Sequence, residues 1–222
     1  MRIATWNVNS IRQRLDHLLT WLKDCSPDVV CLQEIKCVDE AFPRLEIESL
    51  GYNVVTHGQK TFNGVALLSK LPFDETKSGL AGDDEDAHAR FLEGVVTLKH
   101  GVMRIACLYL PNGNPPDTDK YPYKLKWMSR LLEYSKERLK TEEPLVLAGD
   151  FNTWFGFADQ AYRETARAYP QTRMKDKRRT FRGLLRLDHV FYRLPDGWTA
   201  EVRRAESNYG SDHHPLITRI TF

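Results

Sequence analysis

Polar side chains that could bind a metal ion or transfer a proton stand where several predicted strands end. They are Asn7, Glu34, Tyr109, Asn112, Asp150, Asn152, Asp188, Asp212 and His213. Because α/β proteins gather strand ends at one edge of a sheet, we expect these side chains to lie close together. Carboxylate and amide oxygens without a cysteine partner are the ligands that Mg²⁺ or Mn²⁺ prefers, rather than zinc.

Taken singly, each of these residues is weak evidence, because Asp or Asn after a strand usually forms a turn or caps a helix. Two short segments are more specific, Gly149-Asp-Phe-Asn152 and Ser211-Asp-His-His-Pro215. Polar groups that follow a fully apolar strand are costly unless they are used. Six such strand ends in one chain favour catalysis.

The elements that must position these residues alternate between short apolar, β-branched runs and amphipathic stretches. Strands are predicted at 3–8, 28–33, 52–56, 64–68, 94–98, 103–110, 145–148, 187–192, 198–204 and 216–221. Helices are predicted at 120–140, at 157–169 and after a capping box at Ser10-Ile-Arg-Gln13. This order predicts an α/β fold with mixed sheets in a single compact domain, residues 1–222.

Several short sequence motifs, in this order along the chain, carry a family resemblance. They are residues 4–12, 32–37, 52–69, 108–113 and 147–152, followed by Leu187-Asp-His189 and Ser211-Asp-His-His-Pro215. The whole chain resembles the endonuclease/exonuclease/phosphatase superfamily, and residues 1–152 resemble its exonuclease III branch of abasic-site endonucleases. The resemblance implies a four-layer α/β sandwich, with two mixed β-sheets packed face to face and helices outside. It also implies hydrolysis of phosphodiesters with Mg²⁺ (or Mn²⁺), on double-stranded DNA with abasic sites or 3′ ends.

The resemblance also implies roles for the strand-end residues. Glu34 would be the main metal ligand, supported by Asn7. Asp150 would orient and deprotonate the attacking water, with Asn152 beside it. His213, held in its tautomer by Asp212, would bind the scissile phosphate.

Further residues complete the set that the resemblance implies. Tyr109 and Asn112 would contact the scissile phosphate, and Asp188 would serve the metal or the leaving group. Asp212 is a further metal candidate. Arg90 occupies a place where relatives touch DNA phosphates, and Phe181 stands where relatives carry a wall of the abasic-sugar pocket.

The chain departs from the exonuclease III pattern after Asn152, because only 35 residues separate Asn152 from Asp188 and the corresponding stretch is longer in those enzymes. Residues 151–222 carry 11 Arg and 2 Lys, whereas residues 1–150 carry 8 Arg and 11 Lys. One hypothesis is that two branches of the superfamily are joined near residue 152. The competing explanation is a natural lineage with a shortened lobe.

Composition narrows the class of protein. The 222 residues are 41% hydrophobic and 28% charged, a composition that is typical of globular proteins and excludes a disordered chain. No apolar run approaches the ~18–20 residues that span a bilayer, and the first residues lack a signal-peptide pattern. The four cysteines form no C-x-x-C pair, so reduced, partly buried thiols in a cytoplasmic protein are expected rather than a zinc site. A monomer without membrane contact is the expected state.

Three functions are weighed. The leading one is a DNA-repair nuclease that cleaves 5′ to abasic sites, with 3′ exonuclease or 3′ phosphatase action. The second is a phosphodiesterase or phosphatase for RNA, a nucleotide or a phosphorylated small molecule, which the short 153–187 segment favours. The third is a non-catalytic binding protein, which predicts lost site residues, whereas Glu34, Asp150 and His213 are all present.

Overall fold

A computed structural model describes residues 1–153, 160–169, 171–172, 176 and 178–222, and in it helices separate runs of one to five consecutive strands. The strands are β1 (Arg2–Asn7), β2 (Val29–Gln33), β3 (Asn53–His57), β4 (Val65–Ser69), β5 (Glu75–Ser78), β6 (Phe91–Leu98), β7 (Gly101–Tyr109), β8 (Leu145–Asp150), β9 (Asp188–Arg193), β10 (Thr199–Arg204) and β11 (Leu216–Thr221). The helices are α1 (Leu15–Cys25), α2 (Arg44–Glu48), α3 (Lys120–Lys140) and α4 (Gln160–Ala168).

The strands form two mixed sheets. The first has six strands in the order β10-β11-β1-β2-β4-β3, and the second has five in the order β5-β6-β7-β8-β9. In each sheet one central pair is parallel, β1 with β2 and β7 with β8, and the other pairs are antiparallel.

Three apolar clusters hold four layers together. The middle cluster joins the inner faces of the two sheets and includes Ile3, Val29, Ile105 and Val146. A second cluster packs α1 and α2 on the outer face of the first sheet, and a third packs α3 and α4 on the outer face of the second. The alternate residues of each central strand therefore face two different cores, which is why those strands are apolar throughout. The predicted four-layer α/β sandwich is confirmed.

The parallel pairs bring the site residues to one edge. Asn7 pairs with Gln33 at the end of β1 and β2, and Tyr109 pairs with Asp150 at the end of β7 and β8. The sequence placed Asp188 after an apolar run, but in the structure Asp188 is the first residue of β9. Because β9 is antiparallel to β8, its first residue lies opposite the last residue of β8, and Asp188 reaches the same edge.

One local prediction was wrong, and one strand was missed. The capping box at Ser10 does not open a helix, since α1 begins at Leu15 and Ser10 has a φ of 87°. The backbone N–H groups of Ser10 and Ile11 instead donate to the carbonyls of Glu34 and Ile35, which ties this turn to the loop after β2. Strand β5 was not predicted.

Within the described ranges, none of the helices is both long and apolar enough to cross a membrane.

Candidate active site

Asn7 connects the two sheets at the site. Its side chain is fully buried, and its Nδ2 donates to Glu34 Oε1 at 2.8 Å and to Asp150 Oδ2 at 3.0 Å. Its Oδ1 accepts from the Asn9 backbone N–H at 3.0 Å. One amide therefore sets the spacing of two carboxylates that come from different sheets.

Glu34 is held as a carboxylate directly after β2. Burial alone would raise its pKa, but hydrogen bonds from Asn7, Lys36 and Tyr109 bring the pKa below its usual value. The Lys36 ammonium lies 2.8 Å from Glu34 Oε2. Burial, together with Glu34 and Asp150, raises the pKa of the Tyr109 hydroxyl, so Tyr109 stays protonated and can donate a hydrogen bond.

Asp150 ends β8 and is almost fully buried. Its Oδ1 accepts from the Asn152 backbone N–H at 2.8 Å, which fixes a tight turn with Asn152 at a φ of 46°. The Asn152 side chain donates to Leu110 O at 2.9 Å and accepts from Asn112 Nδ2 at 3.2 Å. Burial and the neighbouring Asp188 raise the pKa of Asp150, which suits a group that takes a proton near neutral pH.

His213 is oriented by Asp188. Its Nδ1 lies 2.8 Å from Asp188 Oδ2, and its Nε2 lies 3.7 Å from Asp150 Oδ2. Burial would lower the pKa of the His213 ring, but the Asp188 and Asp150 carboxylates outweigh that effect and raise the pKa above its ordinary value. The ring therefore carries a positive charge held between two carboxylates.

The prediction that Asp212 holds the tautomer of His213 was wrong. Asp212 Oδ1 accepts from Asn9 Nδ2 at 3.1 Å, and its Oδ2 lies 3.5 Å from Arg182. Its side chain is 23% exposed, in contrast to the fully buried Asp188. Asp212 and His213 are adjacent in the chain, so their side chains leave the backbone in different directions, and the residue that meets His213 comes from another strand.

The predicted substrate-contacting residues lie around this centre. The Phe181 ring is 4.9 Å from the His213 ring, and the backbones of the two residues form an isolated β-bridge. The Arg90 guanidinium lies over the rings of Tyr109 and Tyr123, at 5.0 Å and 5.9 Å from their centroids. Phe181 and Arg90 thus flank the catalytic cluster from the side of β9 and from the side of β6.

The oxygen donors of this edge fit a hard divalent cation. Ligand atoms of Asp150, Asp188 and His213 all lie within 4.8 Å of one another, and that group includes neither Glu34 nor Asp212. Because His213 Nδ1 is already bound to Asp188, the oxygens are the better donors. Asp188 Oδ1 is buried and has no hydrogen-bond partner in the described part of the chain. A cation beside it would satisfy this orphaned oxygen and would lower the pKa of Asp150.

Some residues that build the site were missed by sequence reasoning. Asn9 contacts both Asp212 and Lys36, and Lys36 contacts Glu34. Lys124 on α3 donates to the backbone carbonyls of the two loops after β7 and β8. A lysine at a buried position of an amphipathic helix is the available signal for Lys124, since a buried ammonium requires acceptors.

The sequence also offers Trp154, Phe155 and Phe157 as aromatics near the Phe181 wall, and the basic stretch 173–179 as a contact for a phosphate backbone. The three aromatics and residues 173–175 and 177 lie outside the described residues. Asp176, Arg178 and Arg179 of this stretch are described, and Arg178 pairs with Asp176 and Glu206. Its charge is therefore largely matched within the protein.

Comparison with known protein families gives one match that spans most of the chain. The model of the Endonuclease/Exonuclease/phosphatase family matches residues 4–213. The chain is similar to exodeoxyribonuclease III of Haemophilus influenzae, with 35% identity over 153 residues. That match covers 68% of this chain and 57% of the relative, so the chain spans little more than half the length of this curated relative.

Solved structures match over the full chain. The 3′ phosphatase NExo from Neisseria, bound to a product DNA hairpin, is 27% identical with a TM-score of 0.86, and the match covers 100% of both chains. An AP endonuclease from Archaeoglobus fulgidus is 27% identical with a TM-score of 0.83, again over 100% of both chains.

Proposed function

Because the chain belongs to the endonuclease/exonuclease/phosphatase family, we propose that it is a divalent-metal-dependent hydrolase of DNA phosphodiesters. The observation that carries the proposal is the buried cluster of Asp150, Asp188 and His213 at the edge where both parallel strand pairs end. An acceptor of raised pKa beside a fixed imidazolium is what water activation and phosphate binding require.

Asp150 activates the attacking water. Its Oδ1 is held by the Asn152 N–H and its Oδ2 by Asn7, so the carboxylate cannot rotate away from the site. The water oxygen forms the new bond to phosphorus as its proton passes to Asp150. The bond to the 3′ oxygen of the upstream nucleotide breaks, that oxygen takes up a proton from solvent water, and the products are a 3′ hydroxyl and a 5′ phosphate.

His213 stabilises the charge that develops on the phosphate. Its Nδ1–H is committed to Asp188, which leaves Nε2–H to face Asp150 and the substrate. Asn112 adds a neutral donor from the loop after β7, and Tyr109, the last residue of β7, holds the Glu34 carboxylate through its hydroxyl. A preorganised donor of this kind contributes on the order of 10²–10³ in rate.

Glu34, Asn7 and Asp188 are the residues that would hold the metal, which the family requires and which we propose to be Mg²⁺. When bound, a divalent cation supplies Lewis-acid polarisation of the phosphoryl oxygen. Asn7 gives this set its geometry, since its amide contacts Glu34 and Asp150 at once.

Double-stranded DNA with abasic sites or 3′ ends is the proposed substrate. Support comes from the relatives, which include an exodeoxyribonuclease III and an AP endonuclease, and from Arg90 and Phe181, which flank the cluster as a phosphate contact and a sugar-pocket wall would. We propose one catalytic domain over residues 1–222 that acts as a monomer. Strands β9 and β11 extend the two sheets that the first 150 residues begin. A single chain therefore supplies all of the proposed site residues.

Removal of a 3′-terminal phosphate is a second candidate activity. The observation that favours it is the match over 100% of both chains to the Neisseria 3′ phosphatase, which shares the short length of this chain. The same cluster can attack a phosphomonoester, because the attacking water and the imidazolium need only the phosphate itself.

The test is incubation of the protein with two labelled duplexes, one with a single tetrahydrofuran abasic analogue and one with a 3′ phosphate at a nick. Mg²⁺ and EDTA arms are run beside an Asp150→Asn control. Metal-dependent incision 5′ to the analogue supports the nuclease. Phosphate release alone supports the second candidate. Loss of neither reaction in Asp150→Asn would refute the assigned centre.

A further inference from the structure

Lys124 extends from α3 into the loops that carry two site residues. It is 7% exposed, and its Nζ donates to Asn152 O at 2.7 Å and to Asn112 O at 3.2 Å. These carbonyls follow β8 and β7 respectively. One ammonium therefore joins the ends of two neighbouring strands through their backbones.

The two residues whose carbonyls bind Lys124 also meet through their side chains. Asn112 Nδ2 donates to Asn152 Oδ1 at 3.2 Å, and the Asn152 backbone N–H donates to Asp150 Oδ1 at 2.8 Å. Any movement of either loop therefore changes the position of the Asn112–Asn152 pair relative to the Asp150 carboxylate.

The stem of Lys124 packs against the same loop. Gly113 has a φ of 77°, and a Cβ placed there would lie 2.6 Å from Lys124 Cδ. Asn152 has a φ of 46°, in the left-handed region that residues other than glycine adopt less readily, so hydrogen bonds to its backbone help to hold this turn. Lys124 supplies one such hydrogen bond at the Asn152 carbonyl.

We propose that Lys124 is a positioning residue for the reaction proposed above, on which this inference rests. Its charge-assisted hydrogen bonds lock the 112–113 loop to the turn after β8. That lock places the Asn112 donor against the substrate phosphate and the Asp150 carboxylate against the attacking water. Because Lys124 binds the backbone carbonyls of both loops, it acts on the rate through them, and we expect substrate affinity to stay unchanged.

The test compares Lys124→Met with the wild-type protein and with Lys136→Met. Lys136 lies on the same helix, is exposed and pairs only with Glu133 among the described residues, so it controls for loss of a lysine from α3. Steady-state kcat and KM are measured on the abasic-analogue duplex with Mg²⁺. Side-chain amide signals of asparagine are recorded by NMR on protein labelled with ¹⁵N-asparagine.

Lys124→Met is expected to lower kcat by about 10–100-fold with KM within about twofold, since small misplacements of catalytic groups cost rates of this order. It should also shift the Asn112 and Asn152 amide signals. Lys124→Arg, which keeps donors for both carbonyls, should recover most of the loss. If Lys124→Met does not fold, Gly113→Ala displaces the same loop from the other side and should give the same kcat loss and the same shifts.

Two results would overturn the proposal. One is a wild-type kcat with unshifted amide signals in Lys124→Met. The other is a loss confined to KM, which would mean that Lys124 binds the substrate phosphate directly. An inactive wild-type protein would refute the proposed function, but the amide signals would still decide whether Lys124 fixes the two loops.

Discussion

Replacing Asp188 by Asn tests the partner that the structure gives to His213. The carboxylate accepts the Nδ1–H of His213 at 2.8 Å inside a fully buried pocket. An amide of the same shape removes the negative charge. The buried ring then loses the main attraction that keeps its pKa above the ordinary value, and it becomes neutral at a lower pH.

The expected loss follows from this geometry. His213 supplies one preorganised charged donor, and removal of such a donor costs about 3–4 kcal/mol of transition-state stabilisation, or roughly 10²–10³ in kcat. Asp212→Asn is the matched control at the neighbouring carboxylate. Its side chain is partly exposed and contacts Asn9 and Arg182, and exposed pairs of this kind contribute about 1 kcal/mol or less.

The assay is single-turnover cleavage of the abasic-analogue duplex between pH 6 and 10 with saturating Mg²⁺. Asp188→Asn should lose 10²–10³ in rate, as estimated above, and its alkaline limb should move to lower pH. Asp212→Asn should stay within roughly fivefold of the wild-type rate, in line with the small worth of an exposed pair. A larger loss in Asp212→Asn than in Asp188→Asn would refute the assignment of Asp188 as the residue that orients His213.

Three further predictions concern the metal, the pH dependence of stability and a buried ion pair. Glu34→Gln replaces a carboxylate by a neutral oxygen and should weaken Mg²⁺ binding by roughly tenfold or more in calorimetry, since ligand charge sets affinity; unchanged affinity would exclude Glu34 as a ligand. Burial, aided by Arg186, lowers the pKa of His189 to about 4, so the unfolded chain takes up the proton first as the pH falls from 6.5 to 4. Over that range the wild-type protein should lose about 3 kcal/mol of unfolding free energy relative to His189→Phe in denaturant titrations, and parallel pH profiles would contradict this. The Arg130 guanidinium lies 2.6 Å from Asp86, so Arg130→Met leaves that carboxylate without its buried partner. The substitution should lower the free energy of unfolding by about 3 kcal/mol. An unchanged melting temperature would show that the pair is not formed.

The sequence predicted the edge of the sheets at which the site residues meet. Burying a polar side chain directly after a wholly apolar strand costs free energy unless the group has a partner or a function. Asn7, Glu34 and Asp150 were recognisable for that reason. Helix α3 was predicted over its full length, since its apolar face recurs at helical spacing through 21 residues.

Pairings between distant residues could not be predicted. Asp212 was paired with His213 because the two are adjacent, but only the antiparallel register of β9 with β8 brings Asp188 to His213. The capping box at Ser10 failed for the same reason. Its backbone donors bind the loop after β2, and that tertiary contact outweighs the local preference for a helix.

Strand β5 was missed because it lacks a pattern. All four of its residues are exposed, and among the described strands it pairs with β6 alone, at the sheet edge. Alternation of apolar and polar residues arises when one face of a strand is buried, so an edge strand without a buried face leaves no signal in the sequence. The acidic run from Asp83 to Asp86 has the composition of a solvated loop, yet Asp86 is bound by Arg130 and Tyr123.

Incision of a duplex that carries one natural abasic site, performed in H₂¹⁸O with Mg²⁺, tests most directly whether water activated at Asp150 attacks phosphorus. The proposed hydrolysis predicts a 3′ hydroxyl on the upstream product and one ¹⁸O atom in the 5′ phosphate of the downstream product, with neither formed by Asp150→Asn. Strand breakage without ¹⁸O in the phosphate would mean cleavage of a carbon–oxygen bond by elimination, and would contradict the proposed mechanism.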